Sequence, residues 1–282
     1  MTRVAIVTDS TAYIPKELVE KYAISVAPQV LVWGNETYLD GVNIQPEEFY
    51  TRLKTAKVMP TTSQASPRAF HDIYQQRLAE NCEVLAIVLS EKLSGTMASA
   101  VQAREMLPSA PIEIVDSYTT AMALGFQVLA AARAAEQGAS LAECKAVAEE
   151  ARQHVGVIFA VDTLEFLHRG GRIGGGARML GTALNIKPIL EVTGGRVESI
   201  EKVRTRRKSL TRVVELVQER IAGRKPVRLA TLHANAAEDA RILLSDINGQ
   251  FDLEEAIFSE VSPVVGTHAG PGTLGIAFMA GM

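Results

Sequence analysis

At 282 residues and 47% apolar, the chain exceeds what one small core needs and has enough apolar residues for about two packed domains. Its formal net charge of −3 argues against a broad electrostatic surface for nucleic acid and leaves room only for a local basic patch. Two cysteines, Cys82 and Cys144, fall on stretches that read as buried strand and helix, show no zinc spacing, and suit reduced thiols packed as small apolar residues.

The first residues read as entering a strand directly, so no signal peptide is expected. The longest apolar stretch, Ala121 to Ala135, is interrupted by Gln127 and Arg133 and is too short to span a bilayer. The expected compartment is the cytoplasm, without stable membrane insertion.

In chain order, Val4 to Val7 read as a buried strand ending in a polar turn, Thr8 to Thr11, and Pro15 opens a helix through about Tyr22. An extended stretch follows from Ile24 to Trp33, then a turn at Gly34 and Asn35, and a helix from Pro46 to about Lys54. Pro60 to Pro67 concentrates hydroxyls in a loop, ahead of a helix from Arg68 to Ala79. Val84 to Leu89 is nearly all apolar, as a central parallel strand covered on both faces should be. It leads through Ser90 to Thr96 into a helix, Met97 to Leu107, so the loop abuts a helix N-terminus, which favours anions. A strand at Ile112 to Val115 and two alanine-rich helices, Ala121 to Glu136 and Leu141 to His154, complete the first half. Ser140 is an N-cap candidate for the second of those helices.

A domain boundary is expected near Gly156, dividing the chain into 1–156 and 157–282. Beyond it come a strand at Ile158 to Val161, a helical turn at Leu164 to His168, a glycine-rich loop from Arg169 to Gly176, and a helix near Arg178 to Leu184. Lys187 to Val192 and Val197 to Val203 flank Thr193, Gly194, Gly195 and Arg196 as a hairpin. A helix (Ser209 to Ala222), strand (Val227 to Leu232), helix (Ala236 to Ile247) and two last strands (Ala256 to Val261, Thr273 to Met279) follow. The fold class is therefore α/β: an N-terminal, Rossmann-like domain with a parallel sheet, a C-terminal domain with a mixed sheet, and a ligand cleft between them.

Several chemistries are poorly supported. There is no Walker phosphate loop, and the glycines at 174 and 176 are followed by Met179 where a dinucleotide fingerprint needs its third glycine. Ser94 lacks the glycine of a nucleophile elbow, and no two-histidine metal motif occurs. What remains is a set of hydroxyls at strand ends: Thr8, Ser10 and Thr11; Thr61, Thr62 and Ser63; Ser94 and Thr96; Ser117, Thr119 and Thr120. Each set alone suits a cap or a turn, but in a doubly wound sheet such loops share one crevice. The closing stretch Gly266 to Gly275 adds His268 among four glycines, as a tight turn into the last strand. Arg169 and Arg172, then Lys202, Arg204, Arg206, Arg207 and Lys208, form a basic set that suits phosphate, carboxylate or an acidic partner; for Arg206 to Lys208 a solvated charge run is preferred.

Taken together, these stretches resemble the DegV family of bacterial fatty-acid-binding proteins, which includes the binding subunit of fatty acid kinase. The matching residues are Thr8 to Thr11, Pro60 to Gln64, Leu93 to Thr96, Val115 to Ser117, Gly170 to Ile173, Lys187 to Leu190, Lys202 to Thr205 and His268 to Gly275. Their order holds over essentially the whole chain. The resemblance implies a long-chain fatty acid such as palmitate, stearate or oleate in an apolar tunnel between two α/β domains, with no other cofactor and no metal. Its carboxylate would be held by Thr61 or Thr62, by Ser94 with Gly95 beside it, and by His268. A separate ATP-dependent kinase subunit would phosphorylate it there, with Arg172 and Arg204 serving docking or phosphoryl transfer. Ala65 stands where the family often has proline, and Glu91 and Lys92 lie in a segment that is commonly more neutral. The alternative is a stand-alone small-molecule enzyme related to the substrate-binding subunit of dihydroxyacetone kinase, with His268 as base or covalent handle. A third reading, a nucleic-acid-binding or regulatory module using Lys202 to Lys208, runs against the net charge.

Overall fold

The computed structural model describes residues 3–173 and 186–282. The first half runs β1 (Arg3–Asp9), α1 (Lys16–Lys21), β2 (Ser25–Ala27), β3 (Val30–Trp33), β4 (Glu36–Leu39), α2 (Pro46–Leu53), β5 (Thr61–Ser63), α3 (Pro67–Ala79), β6 (Cys82–Val88), α4 (Thr96–Glu105), β7 (Ile112–Asp116), α5 (Ala121–Glu136) and α6 (Leu141–Ala151). The second runs β8 (Val155–Ala160), α7 (Glu165–Arg169), β9 (Lys187–Thr193), β10 (Arg196–Val203), α8 (Arg206–Ile221), β11 (Val227–His233), α9 (Ala237–Gln250), β12 (Glu255–Glu260), α10 (Pro263–Ala269) and β13 (Leu274–Ala280). Both cysteines are buried and unpaired.

The expected sheets are both present. β2, β1, β6 and β7 form a parallel sheet in that order, and a mixed sheet of order β10-β9-β8-β13-β11-β12 is antiparallel except between β11 and β12. The boundary expected at Gly156 falls on the second residue of β8, where the chain enters the mixed sheet. Local chemistry sets the helix starts. Ser66 accepts from the Ala69 N–H with Pro67 behind it, Ser140 and Glu143 form a reciprocal capping box, and Thr205 accepts from the Lys208 N–H.

Three segments depart from expectation. The stretch Ile24 to Trp33 is two strands, because Pro28 has no N–H for a ladder: β2 pairs with β1, while β3 joins β4 and β5 in a separate antiparallel sheet. The hydroxyl loop at Thr61 to Ser63 is strand β5. The closing turn is a helix, α10, capped by Ser262 with Pro263 at its first position and ended at Gly270, whose φ of 83° only glycine takes readily. The helix expected near Arg178 to Leu184 and the glycines at 174 to 176 lie outside the described residues.

The two sheets are joined through α5. Every residue from Ala121 to Ala132 except Ala130 is buried, so the helix is apolar on all sides, as a helix between two sheets must be. One apolar core runs from Leu85 and Ile87 on β6, through Leu124, Phe126 and Leu129, to Val157 and Phe159 on β8 and Met279 on β13. Strand alternation sends Ile158 and Ala160 the other way, into a second core beneath α8 and α9. A third core lies between the outer face of the parallel sheet and α3 and α4. Truncating Phe126, wholly buried at the centre of this joint, by Phe126→Ala should cost about 3–5 kcal/mol of unfolding free energy in urea titration. A loss below about 1 kcal/mol would contradict a tightly packed joint.

Candidate functional site

A cavity with about 880 Å³ of empty space, its mouth included, lies between the two sheets. It sits beyond the carboxyl ends of β1 and β6, the neighbours at which the strand order reverses, which is where doubly wound sheets bind ligands. Thr11 follows β1; Leu89, Leu93 and Ser94 follow β6. The mixed sheet contributes Val157 and Phe159 from β8, and the β9–β10 hairpin contributes Val192 and Val197. The hairpin turn is tied to the first half by the Ser90 hydroxyl, which donates to the Gly195 carbonyl at 2.9 Å. Most of the wall is apolar.

Several of the polar groups in the wall are neighbours. In β5 Thr62 stands opposite buried Leu31 and is half-buried, while Thr61 and Ser63 are exposed, although Ser63 also borders the cavity. Thr62 Oγ1 lies 2.8 Å from Nε2 of His268, in the last turn of α10. That helix is held in place by the Tyr50 hydroxyl, which donates to the Val261 carbonyl at 3.1 Å and lies so close to Gly266 that a Cβ there would fall 2.1 Å from Tyr50 Oη. Gly170 performs the same service on the other side, since a Cβ on it would fall 2.0 Å from His268 Nδ1. Arg172 follows, with Nε donating to the Leu93 carbonyl at 3.1 Å and Nη1 to the Gly170 carbonyl at 2.5 Å. Leu93 leads to Ser94, whose Oγ is 2.9 Å from Thr96 Oγ1.

Of the residues singled out in the sequence, Thr62, Ser94, Arg172 and His268 line this cavity, as do Thr11, Ser63 and Thr120 from the hydroxyl loops. Thr61 is exposed and opens on an outer cleft that it shares with Thr62, Arg169, Arg172 and His268. Gly95 stands behind Ser94 at the start of α4, against the Gln64 side chain. Arg204 is exposed, and neither cavity wall includes it. Arg169 pairs with Glu165 on the surface. Arg206 is not a free charge: it bonds Asp239 at 3.1 Å and the Gly272 carbonyl at 2.6 Å, while Arg207 and Lys208 are exposed. Among the described residues no group of three or more His, Cys, Asp or Glu could hold a metal.

One contributor escaped the sequence reading. Gln29 is 2% exposed and lines the cavity, its amide bonded to Thr96 Oγ1 at 2.9 Å. Its only signal was a polar side chain within an otherwise apolar stretch, and a buried amide requires partners.

Electrostatics keep the imidazole neutral. Burial, aided by the nearby Arg172 charge, pushes the His268 pKa down to about 4, so near pH 7 one ring nitrogen donates and the other accepts. Nδ1 has no partner among the described residues. The site therefore offers hydroxyl and imidazole donors and an adjacent guanidinium in the wall of a mostly apolar space.

An α/β protein built on a parallel and a mixed sheet, with an apolar cavity at the strand-order reversal, is a fold with known relatives. The model of the DegV family, described as uncharacterised, matches residues 3–281, and the chain belongs to that family. A DegV domain-containing protein of Streptomyces coelicolor is 40% identical over 97% of both chains. Among solved structures, a DegV family protein from Thermus thermophilus described as fatty acid binding superposes with a TM-score of 0.92 at 36% identity, covering 99% of each chain. DegV of Bacillus subtilis, described as a fatty acid binding protein, gives 0.90 at 34% identity, covering 99% of this chain and 100% of that one.

The His268 titration is directly measurable. The imidazole resonances should titrate near pH 4, and in Arg172→Ala somewhat higher, yet still below an exposed histidine because burial is the larger cause. The unfolded chain takes up this proton first, near pH 6.5, so the stability supplied by neutral His268 is complete above that pH and is lost as the pH falls through about 4. A titration near 6.5 in the folded protein would contradict the buried, neutral ring.

Proposed function

We propose that this chain binds one long-chain fatty acid between residues 1–156 and 157–282, taken as two domains, and presents its carboxylate to a separate ATP-dependent kinase subunit. The observation that carries the reading is that Thr62, Ser94, His268 and Arg172 come together in the wall of a cavity whose surface is mostly apolar. Each buried methylene contributes about 0.8 kcal/mol, so an acyl chain along Val157, Phe159, Val192 and Val197 supplies affinity in proportion to its length. An ionised carboxylate cannot enter such a space without donors, and the hydroxyls of Thr62 and Ser94 with the His268 imidazole meet that need. Thr62 rather than Thr61 takes the ligand, because it faces inward.

Arg172 has a second task. It borders both the cavity and the outer cleft, so its charge stands where a phosphoryl group would approach the bound carboxylate. Arg204, exposed on the C-terminal side, is assigned to docking of the kinase subunit. The fatty-acid-binding relatives from Thermus thermophilus and Bacillus subtilis support the ligand class.

Lipid extraction and native mass spectrometry of the isolated protein should find a bound acid such as palmitate, stearate or oleate. Ser94→Ala and His268→Ala should each weaken palmitate binding by about tenfold, the worth of one charge-assisted hydrogen bond. Arg172→Ala should change binding less than about threefold while abolishing acyl-phosphate formation with a fatty acid kinase subunit and ATP. Equal loss of binding in all three variants would defeat this division of roles.

A further inference from the structure

The Thr62–His268 pair stands between two spaces. On one side lies the mostly apolar cavity, and on the other the outer cleft that Thr61 opens on, with about 680 Å³ of empty space, its mouth included. Among the described residues, only Thr62, Arg172 and His268 belong to both walls. A head group held by these three from within the cavity is therefore at the boundary, with the outer cleft beyond it.

The chemistry of the outer wall differs from that of the cavity. Besides the shared residues it carries Arg169 and Thr61, and its larger apolar members are Leu53, Met59 and Phe166. No Asp or Glu belongs to it among the described residues, so two guanidinium groups border the cleft without a carboxylate in its wall. Arg172 is fixed by its bonds to the Leu93 and Gly170 carbonyls. Arg169 is paired with Glu165 at 2.5 Å across one turn of α7, but both side chains are more than half exposed, and an ion pair in that setting contributes little and yields to a stronger anion. Thr267 donates its proton to the Pro263 carbonyl at 2.9 Å, which leaves Thr61 and the two arginines to meet a ligand.

Resting on the fatty-acid and kinase reading above, we infer that the outer cleft is a phosphate subsite: Arg169 and Thr61, with Arg172, hold the phosphoryl group of the acyl phosphate while its chain stays in the cavity. In the transfer, one carboxylate oxygen bonds to the γ-phosphorus of the ATP brought by the kinase subunit, the bond from that phosphorus to the ADP oxygen breaks, and its electron pair leaves with ADP. The head group thereby passes from one negative charge to about two and extends past Thr62 and His268. A mostly apolar space cannot take the added charge, whereas the outer cleft supplies a second guanidinium and a further hydroxyl for it.

The test needs no kinase. Palmitate is compared in displacement assays with 2-oxoheptadecylphosphonate, which keeps the chain and carbonyl of palmitoyl phosphate and replaces the hydrolysable bridging oxygen by a methylene. Wild type should bind the phosphonate at least as tightly as palmitate. Arg169→Ala should weaken phosphonate binding about tenfold and Thr61→Val about threefold, with palmitate affinity changing less than twofold in both. Glu165→Ala breaks the same ion pair but keeps the arginine, so it should leave phosphonate binding intact. All three positions are exposed, which makes the variants safe for folding. Wild type that binds palmitate at least tenfold more tightly than the phosphonate, unchanged phosphonate affinity in Arg169→Ala or Thr61→Val, equal loss of both ligands, or the same loss in Glu165→Ala would each overturn the subsite. Wild type that binds neither compound would instead refute the fatty-acid reading on which it rests.

Discussion

Burying a polar side chain is costly unless something answers its hydrogen-bonding groups, and in this protein Thr62 Oγ1 and His268 Nε2 answer each other across the two halves of the chain. Thr62 and His268 are 206 positions apart in the chain, yet their side chains meet at 2.8 Å. Neither would be stable there alone. β5 turns Thr62 inward, α10 turns His268 toward it, and Gly170 and Gly266 leave the space that both the ring and its helix need. The neutral imidazole follows from the same burial: a charge in that position would lose more hydration than Thr62 could return.

Around that contact the apolar core has an unusual division of labour. α5 is packed by the parallel sheet on one side and by β8 and β13 on the other, so the halves share one core instead of touching through polar surfaces. The cavity is the part of this joint that side chains leave unfilled. Its apolar wall therefore comes from residues that would otherwise be ordinary core, and much of its polar lining comes from strand ends and a short helix. Such a space suits an amphipathic ligand, because apolar burial supplies affinity while a few oriented donors decide which end goes where.

Parts of this were legible from residues alone. The run Val84 to Val88 and the alanine-rich helix α5 declare themselves through local pattern, and the Ser140–Glu143 box and the Thr193 to Arg196 turn mark their own positions. Other parts were not. The split of Ile24 to Trp33 at Pro28 turns on which sheet each piece joins, a choice made by distant strands. α10 carries the N-terminal signal Ser262–Pro263, but the glycines at 266 and 270 disguise it as a loop, and only the packing of Tyr50 against Gly266 explains the first of them.

The sequence by itself determined the α/β alternation, the two kinds of sheet and the family, because these depend on short-range periodicity, caps and ordered motifs that survive without a third dimension. Through the family resemblance it also nominated Thr61, Thr62, Ser94, Gly95 and His268 for a carboxylate, and Arg172 with Arg204 for docking or phosphoryl transfer. Only the tertiary structure separated Thr62, which lines the cavity, from Thr61, which is exposed on the outer cleft, since strand alternation has no meaning until the partner of β5 is known. It alone separated Arg172, which borders the cavity, from Arg204, which stands exposed, and brought Gln29 to Thr96 across 67 positions. The physical reason is the same in each case: a hydrogen bond is specified by the place and direction of two groups, and chain position sets neither when the groups lie on different elements.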